Sequence, residues 1–389
     1  MNVLLPPAWI GIVGGGQLGM MLIREAHRMG YYTVVWDPSA DCPASRLADH
    51  AIIASFDDVT AVDEMVSRAS VITYEFENVS GEIIEQLEIR KPLFPGSSIL
   101  RVAQHRRREK EELAKRGFPV VRFGNAKSVG EIRSAVEMIG LPVVLKTATS
   151  GYDGKGQTVV EDAGHLEDFV RSVAGEIDYV VEEYLELQAE LSVLVVRTGD
   201  GHLVTFPVSE NQHRDNILHR TYVPARFPDS IHRKARQLAC EIAESFDLIG
   251  LLCVEMFLTE SGDVIVNELA PRPHNSGHYS LDACSISQFE ALVRAICGLH
   301  VPEPVLHSPC AMVNLLGKHL TKLDPARLMA IPGTKLHIYG KKRAEPKRKM
   351  GHVTIVRETM QEVEEVARTV ASMIGETEEI SPSRKNARV

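Results

Sequence analysis

Residues 251–269 read LLCVEMFLTESGDVIVNEL. Two β-rich runs flank Ser261-Gly262, which is a hairpin signal. With those two residues as the loop, Glu260 faces Asp263, Thr259 meets Val264, Phe257 meets Val266 and Glu255 meets Glu268. Two carboxylates then lie directly opposite on one face of otherwise apolar strands, where like charges repel and weaken the sheet. A divalent cation is the simplest offset. Oxygen-only donors suit Mg²⁺ or Mn²⁺, with nucleotide phosphates completing the octahedron. The plainer alternative is a salt-bridged Glu in a different register.

Three further segments carry phosphate chemistry. In KTATSGYDGKGQ, Lys146 ends a strand, and Lys155 stands between Gly154 and Gly156. Glycines let backbone N–H groups close on an anion, and lysines add point charges. The segment is not a Walker A loop, because TVVED after it reads as a strand, so the expectation is a flap over phosphates. RPHNSGH follows the Glu268 strand and crowds Arg272, His274, Asn275, Ser276 and His278 beside the expected metal. GKKRAEPKRKMGH is a basic island between strands. Such an island is a solvated face, a nucleic-acid patch or a phosphate monoester pocket.

Residues 8–100 alternate strand and helix, which implies a parallel sheet with covered faces. The first strand runs into Gly14-x-Gly16-x-x-Gly19, and the second ends on Asp37, a dinucleotide-binding pattern. A glycine turn feeding a helix N-terminus suits an anion, NAD or another. HRRREKEELAKRG reads as a strongly charged helix.

A chain of 389 residues, 44% of them hydrophobic, has room for two or three domains. The formal net charge of -9 argues against a general nucleic-acid coat, and no nucleic-acid partner is expected. The six cysteines form no C-x-x-C pair, which points to buried free thiols. The N-terminus lacks a basic n-region, and no apolar stretch approaches a membrane span. The expectation is a soluble cytoplasmic protein with no membrane contact.

Together, GGGQLGMM, TYEFENV, SGYDGKGQ, VVEEYL, ENQHRDNI, NELAPRPHNSGH and KRKMGH, in that order, resemble the ATP-grasp superfamily. Within it they are similar to the 5-(carboxyamino)imidazole ribonucleotide synthases, carboxylases of purine biosynthesis. The resemblance implies a mixed α/β and α+β chain. Its expected parts are an N-terminal Rossmann-like (pre-ATP-grasp) domain at residues 1–104 and an ATP-grasp domain at 105–297 with a mobile lid at about 118–185. A small β-rich C-terminal domain at 298–389 would complete the substrate site.

The resemblance also implies roles. Arg106, Lys146, Gly151, Tyr152, Asp153, Gly154, Lys155, Gly156, Gln157, Glu190, His213 and Asn267 would contact ATP. Glu182, Glu183, Tyr184 and Leu185 would offer backbone edges to adenine. Glu255 and Glu268 would hold Mg²⁺ (or Mn²⁺), with Glu268 also at the nucleotide. Gln17, Leu18, Glu75 and Tyr152 would line the aminoimidazole ribonucleotide site, with Asp153 nearby, while Lys341, Arg348 and Lys349 would grip its phosphate. The resemblance thus implies a nucleotide-like substrate at the glycine turn instead of NAD. Arg272, His274 and Asn275 would orient bicarbonate and carboxyphosphate, with Asp153 and Lys349 assisting the chemistry. The partners implied are these small molecules and a second copy, as a homodimer. One departure is Ala270, where many ATP-grasp enzymes place Asn, so that Asn267 or water compensates. Rival readings are a formate-using glycinamide ribonucleotide transformylase, a biotin carboxylase, an NAD-dependent oxidoreductase and a non-catalytic ATP-binding regulator.

Overall fold

The alternating pattern of the first hundred residues folds as a four-stranded parallel sheet, ordered His50–Ile52, Tyr32–Trp36, Trp9–Val13, Val71–Tyr74. This computed structural model describes residues 2–149, 156–173 and 178–376. The helix Gln17–Arg28 buries Leu18, Met21, Leu22 and Ala26, the stripe its periodicity predicts. It packs on the helix Gln288–Ile296, so the N-terminal sheet and the central body share one core.

A second, antiparallel sheet is ordered Phe123–Ala126, Tyr179–Glu183, Val143–Thr147, Gln157–Val160. Helices Val129–Ile139 and Ala163–Ser172 cover it and close a small separate core. This unit occupies the segment expected to act as a lid.

The third sheet has nine strands. From one edge it runs Val264–Ala270, Gly250–Thr259, Leu187–Arg197, Ser209–Arg214, Ile217–Val223, Cys310–Leu316, Lys349–Val356, Thr334–Ile338. The short strand Leu203–Thr205 pairs beside Leu187–Arg197. The C-terminal strands therefore extend the sheet that carries the acidic hairpin, through Ile217–Val223 paired with Cys310–Leu316. Helix Asp229–Ser245 covers one face, and Met360–Met373 packs over the C-terminal strands. All six cysteines are free thiols. Among the described residues, no helix is long and apolar enough to cross a membrane.

Candidate active site

The hairpin closes differently from the expected two-residue loop. The Thr259 amide donates to the Asp263 carbonyl at 3.0 Å, leaving Glu260, Ser261 and Gly262 as the loop. Gly262 has φ +83°, the left-handed position a three-residue loop needs. Leu258 therefore pairs with Val264 and Phe257 with Ile265, correcting the expected Glu260–Asp263, Thr259–Val264 and Phe257–Val266 pairings. A bulge between Val266 and Glu268 then adds one residue, Asn267, and restores Glu255 opposite Glu268. The acidic pair stands, by two offsets that cancel. The bulge also turns Asn267 to the same side as Glu268, and both line one cavity.

The charged helix Arg106–Lys115 holds this bulge. Arg106 Nη1 meets Glu268 Oε2 at 3.0 Å, Lys110 Nζ donates to the Asn267 carbonyl at 3.0 Å, and the Leu269 amide donates to Glu109 Oε1 at 2.6 Å. The three residues sit at i, i+3 and i+4, on one helix face. Burial, reinforced by Glu268, pushes the Glu109 carboxyl up to about 8. Lys110 also lies 3.5 Å from Glu182, whose other oxygen takes Lys146 at 2.7 Å. Burial opposes the Glu182 charge, but Lys110 and Lys146 outweigh it and hold the carboxyl at about 2. Burial lowers the pKa of Lys146 despite that partner. Arg107 turns away to Asp178 at 3.5 Å. Lys110→Met removes a buried charge from this network, and we expect a stability loss of about 2 kcal/mol in chemical denaturation.

The cavity measures about 380 Å³ and draws on all three sheets. Gln17 and Leu18 come from the start of the first helix and Glu75 from just past the end of the strand Val71–Tyr74, Lys146 and Gln157 from the second sheet, and Glu190, His213, Glu255, Glu268 and Lys349 from the third. Arg272, His274 and Asn275 close its floor from the loop after Val264–Ala270. Glu77, which the sequence reading missed, forks Arg272, with Nη2 to Oε1 at 2.8 Å and Nε to Oε2 closer still. Burial works against the Glu77 charge, but Arg272 prevails and holds it at about 2. His274 Nε2 sits 3.0 Å from Glu255 Oε1, and its Nδ1 sits 2.8 Å from Ser276 Oγ. Burial opposes the imidazolium, but the Cys253 sulfur and the Glu255 carboxylate raise His274 to about 10. His213 and Glu190 approach to 2.9 Å; burial opposes the charged ring, and Glu190 outweighs it, so the histidine pKa rises. Asn267 Oδ1 is a buried atom without a hydrogen-bond partner.

Several expected residues fall elsewhere. Gly151, Tyr152, Asp153, Gly154 and Lys155 lie outside the described residues. Gly156, at φ +76°, accepts the Thr147 amide at 2.8 Å at the edge of that segment. Glu183 turns to Arg122, at 2.8 and 2.9 Å, the Tyr184 amide donates to Pro142, and Leu185 packs on Val121, Leu187 and Phe257. None of these three lines the cavity. Arg348 is exposed and donates to the Arg343 carbonyl at 3.3 Å, away from the cavity, whereas Lys349 lines it. Arg348 lies in the turn before the strand Lys349–Val356, its amide donating to the Glu345 carbonyl at 3.0 Å, whereas Lys349 opens the strand. Lys341 Nζ donates to the Lys349 carbonyl at 2.8 Å behind that wall.

The glycine amides of the turn are taken by carboxylates of the chain itself, while Gln17 and Leu18 beside them line the cavity. Gly15 N–H donates to Asp37 Oδ2 at 2.8 Å, Gly19 N–H to Glu75 Oε2 at 2.7 Å, and Gly16 N–H to Glu75 Oε1. The anion at this helix N-terminus is the protein's own Glu75, so those amides are not a phosphate cradle for NAD or for the substrate. A Cβ at Gly16 would collide with the Glu75 carboxylate, which explains the glycine.

Residues 8–104 match the ribonucleotide synthetase preATP-grasp domain, 111–289 the ATP-grasp domain, and 310–366 the phosphoribosylaminoimidazole carboxylase C-terminal domain. The chain is 43% identical to N5-carboxyaminoimidazole ribonucleotide synthase of Bacillus subtilis (strain 168), over 92% of this chain and 93% of the relative. The chain belongs to the N5-carboxyaminoimidazole ribonucleotide synthase family. It is an ATP-grasp carbon–nitrogen ligase. Among solved members, the Staphylococcus aureus synthetase complexed with ADP superposes with a TM-score of 0.91 at 38% identity, covering 96% of this chain and 99% of the other. The Aspergillus clavatus synthase in complex with ADP and 5-aminoimidazole ribonucleotide superposes at 0.86 with 30% identity, covering 94% and 98%. Membership in this family sets aside the transformylase, biotin carboxylase and oxidoreductase readings.

Proposed function

We propose that this protein carboxylates 5-aminoimidazole ribonucleotide with bicarbonate at the expense of ATP, in purine biosynthesis, as a cytoplasmic homodimer. The observation that carries the reading is one cavity in which the bulged acidic hairpin, the Glu77-braced Arg272 and Lys349 converge. The Aspergillus clavatus relative, complexed with ADP and 5-aminoimidazole ribonucleotide, supplies the substrate classes. The free thiols suit a reducing compartment.

Glu255, Glu268 and the unpartnered Asn267 Oδ1 form an all-oxygen donor set that fits Mg²⁺ or Mn²⁺. Asn267 thereby takes the place of the absent asparagine at Ala270. The ion, when bound, would supply charge neutralisation at the triphosphate.

In the first step a bicarbonate oxygen attacks the γ-phosphorus, the bond to ADP breaks, and carboxyphosphate forms. Two anions must meet, so fixed positive charge dominates catalysis. Arg106, Lys146 and Arg272 provide it. In the second step the exocyclic amine of the ribonucleotide takes the carboxyl carbon, directly or through CO₂, as phosphate leaves and the amine loses a proton. Gln17, Leu18 and Glu75 bound that ribonucleotide's side of the cavity, and Lys349 is the cation for its phosphate. The second sheet is the wall that would exclude water from carboxyphosphate. Glu190 and His213 would contact the nucleotide, as would Gln157.

The test is ADP release with bicarbonate, with and without aminoimidazole ribonucleotide. Stimulation by that ribonucleotide is expected. Stimulation only by formate plus glycinamide ribonucleotide, or only by biotin, would overturn the assignment. Arg348→Ala should leave the ribonucleotide KM within about twofold, while Lys349→Ala should raise it about tenfold or more. The reverse ranking would restore Arg348 as the phosphate residue.

A further inference from the structure

Asn275 faces the cavity, but an amide side chain recognises an anion only if its N–H end is the one presented. Amide oxygen and nitrogen exchange places readily unless neighbours of fixed polarity decide the matter. Asn275 Nδ2 donates to Asn314 Oδ1 at 3.1 Å, and Asn314 Nδ2 donates to Asn275 Oδ1 at 2.5 Å. By itself this pair is indifferent, because turning both amides over together preserves both bonds. The tie is broken by a third contact: Asn314 Nδ2 also donates to the Leu218 carbonyl at 2.7 Å. A backbone carbonyl can only accept, so it fixes Asn314, and Asn314 fixes Asn275. In that orientation Asn275 retains one Nδ2 hydrogen outside the pair.

Asn314 is fully buried in the strand Cys310–Leu316 and is not part of the cavity wall. Burying a side-chain amide is costly unless each of its groups is satisfied, and here each is bonded. We propose that Asn314 is a positioning residue for the bicarbonate step, setting the polarity of Asn275 from the C-terminal strands. This rests on the reading that Asn275 contacts bicarbonate.

The test compares Asn314→Leu, an apolar replacement of similar size, with Asn314→Ser, a smaller polar one. Asn275→Ala is the reference. Measured for each are kcat/KM for bicarbonate, KM for aminoimidazole ribonucleotide and ADP affinity by calorimetry. Both Asn314 variants should lower kcat/KM for bicarbonate about tenfold, with ADP affinity and ribonucleotide KM within about twofold of the parent. An unchanged bicarbonate parameter in either folded Asn314 variant overturns the proposal. So does an equal loss in ADP affinity, which marks a general structural role. An unaltered bicarbonate parameter in Asn275→Ala overturns the placement of bicarbonate itself, a failure distinct from that of Asn314.

Discussion

Glu268→Gln is expected to lower ATP turnover by about 10³-fold while leaving the fold intact. The substitution keeps the shape of the side chain and removes one of two facing negative charges. Arg106, 3.0 Å from Glu268 Oε2, then faces a neutral amide, and the donor set for a divalent cation loses a carboxylate. Relief of the repulsion with Glu255 favours folding and loss of the Arg106 pair opposes it, so thermal stability should change little. Loss of kcat with stability retained separates a functional carboxylate from a structural one. Unaltered turnover would remove Glu268 from the account.

Arg272→Lys should cost about 10²-fold in kcat, although the charge is retained. Glu77 meets Arg272 through two parallel N–H groups, a fork that an ammonium cannot reproduce. The lysine would lose its fixed direction, and Glu77 would be left buried with a poorer partner. The same geometry links the N-terminal sheet to the floor of the cavity, so Glu77→Gln should reproduce part of the loss. Retained activity in Arg272→Lys would show that charge alone suffices at that position.

Much of this site was legible before any coordinates. Period-two alternation in LLCVEMFLTESGDVIVNEL, with a two-residue loop, placed Glu255 opposite Glu268, a pairing the structure keeps because the longer loop and the bulge cancel. The loop length and the bulge were not legible, because a single left-handed glycine and a single extra residue leave no trace in the alternation. The strand–glycine–helix pattern identified its own local structure. It could not name the anion, since Glu75 lies 59 positions beyond Gly16, and only the fold brings the two together. The run RRREK read as a strongly charged helix with Arg106 singled out by the resemblance, but composition did not show that Arg106, Glu109 and Lys110 share a face that packs on the hairpin. The basic island was visible as charge. Which of Arg348 and Lys349 points inward depends on where the turn ends and the strand begins, which composition does not mark. Likewise, Glu77 sits in a motif visible in the sequence, but nothing in that motif predicts its arginine, 195 residues away.

The central claim is that this cavity joins bicarbonate to the terminal phosphate of ATP before carbon reaches the amine. Bicarbonate carrying heavy oxygen, supplied with ATP and aminoimidazole ribonucleotide, should deliver one heavy oxygen to each inorganic phosphate released. Phosphate with unlabelled oxygen, formed at the rate of the carboxylated product, would contradict it.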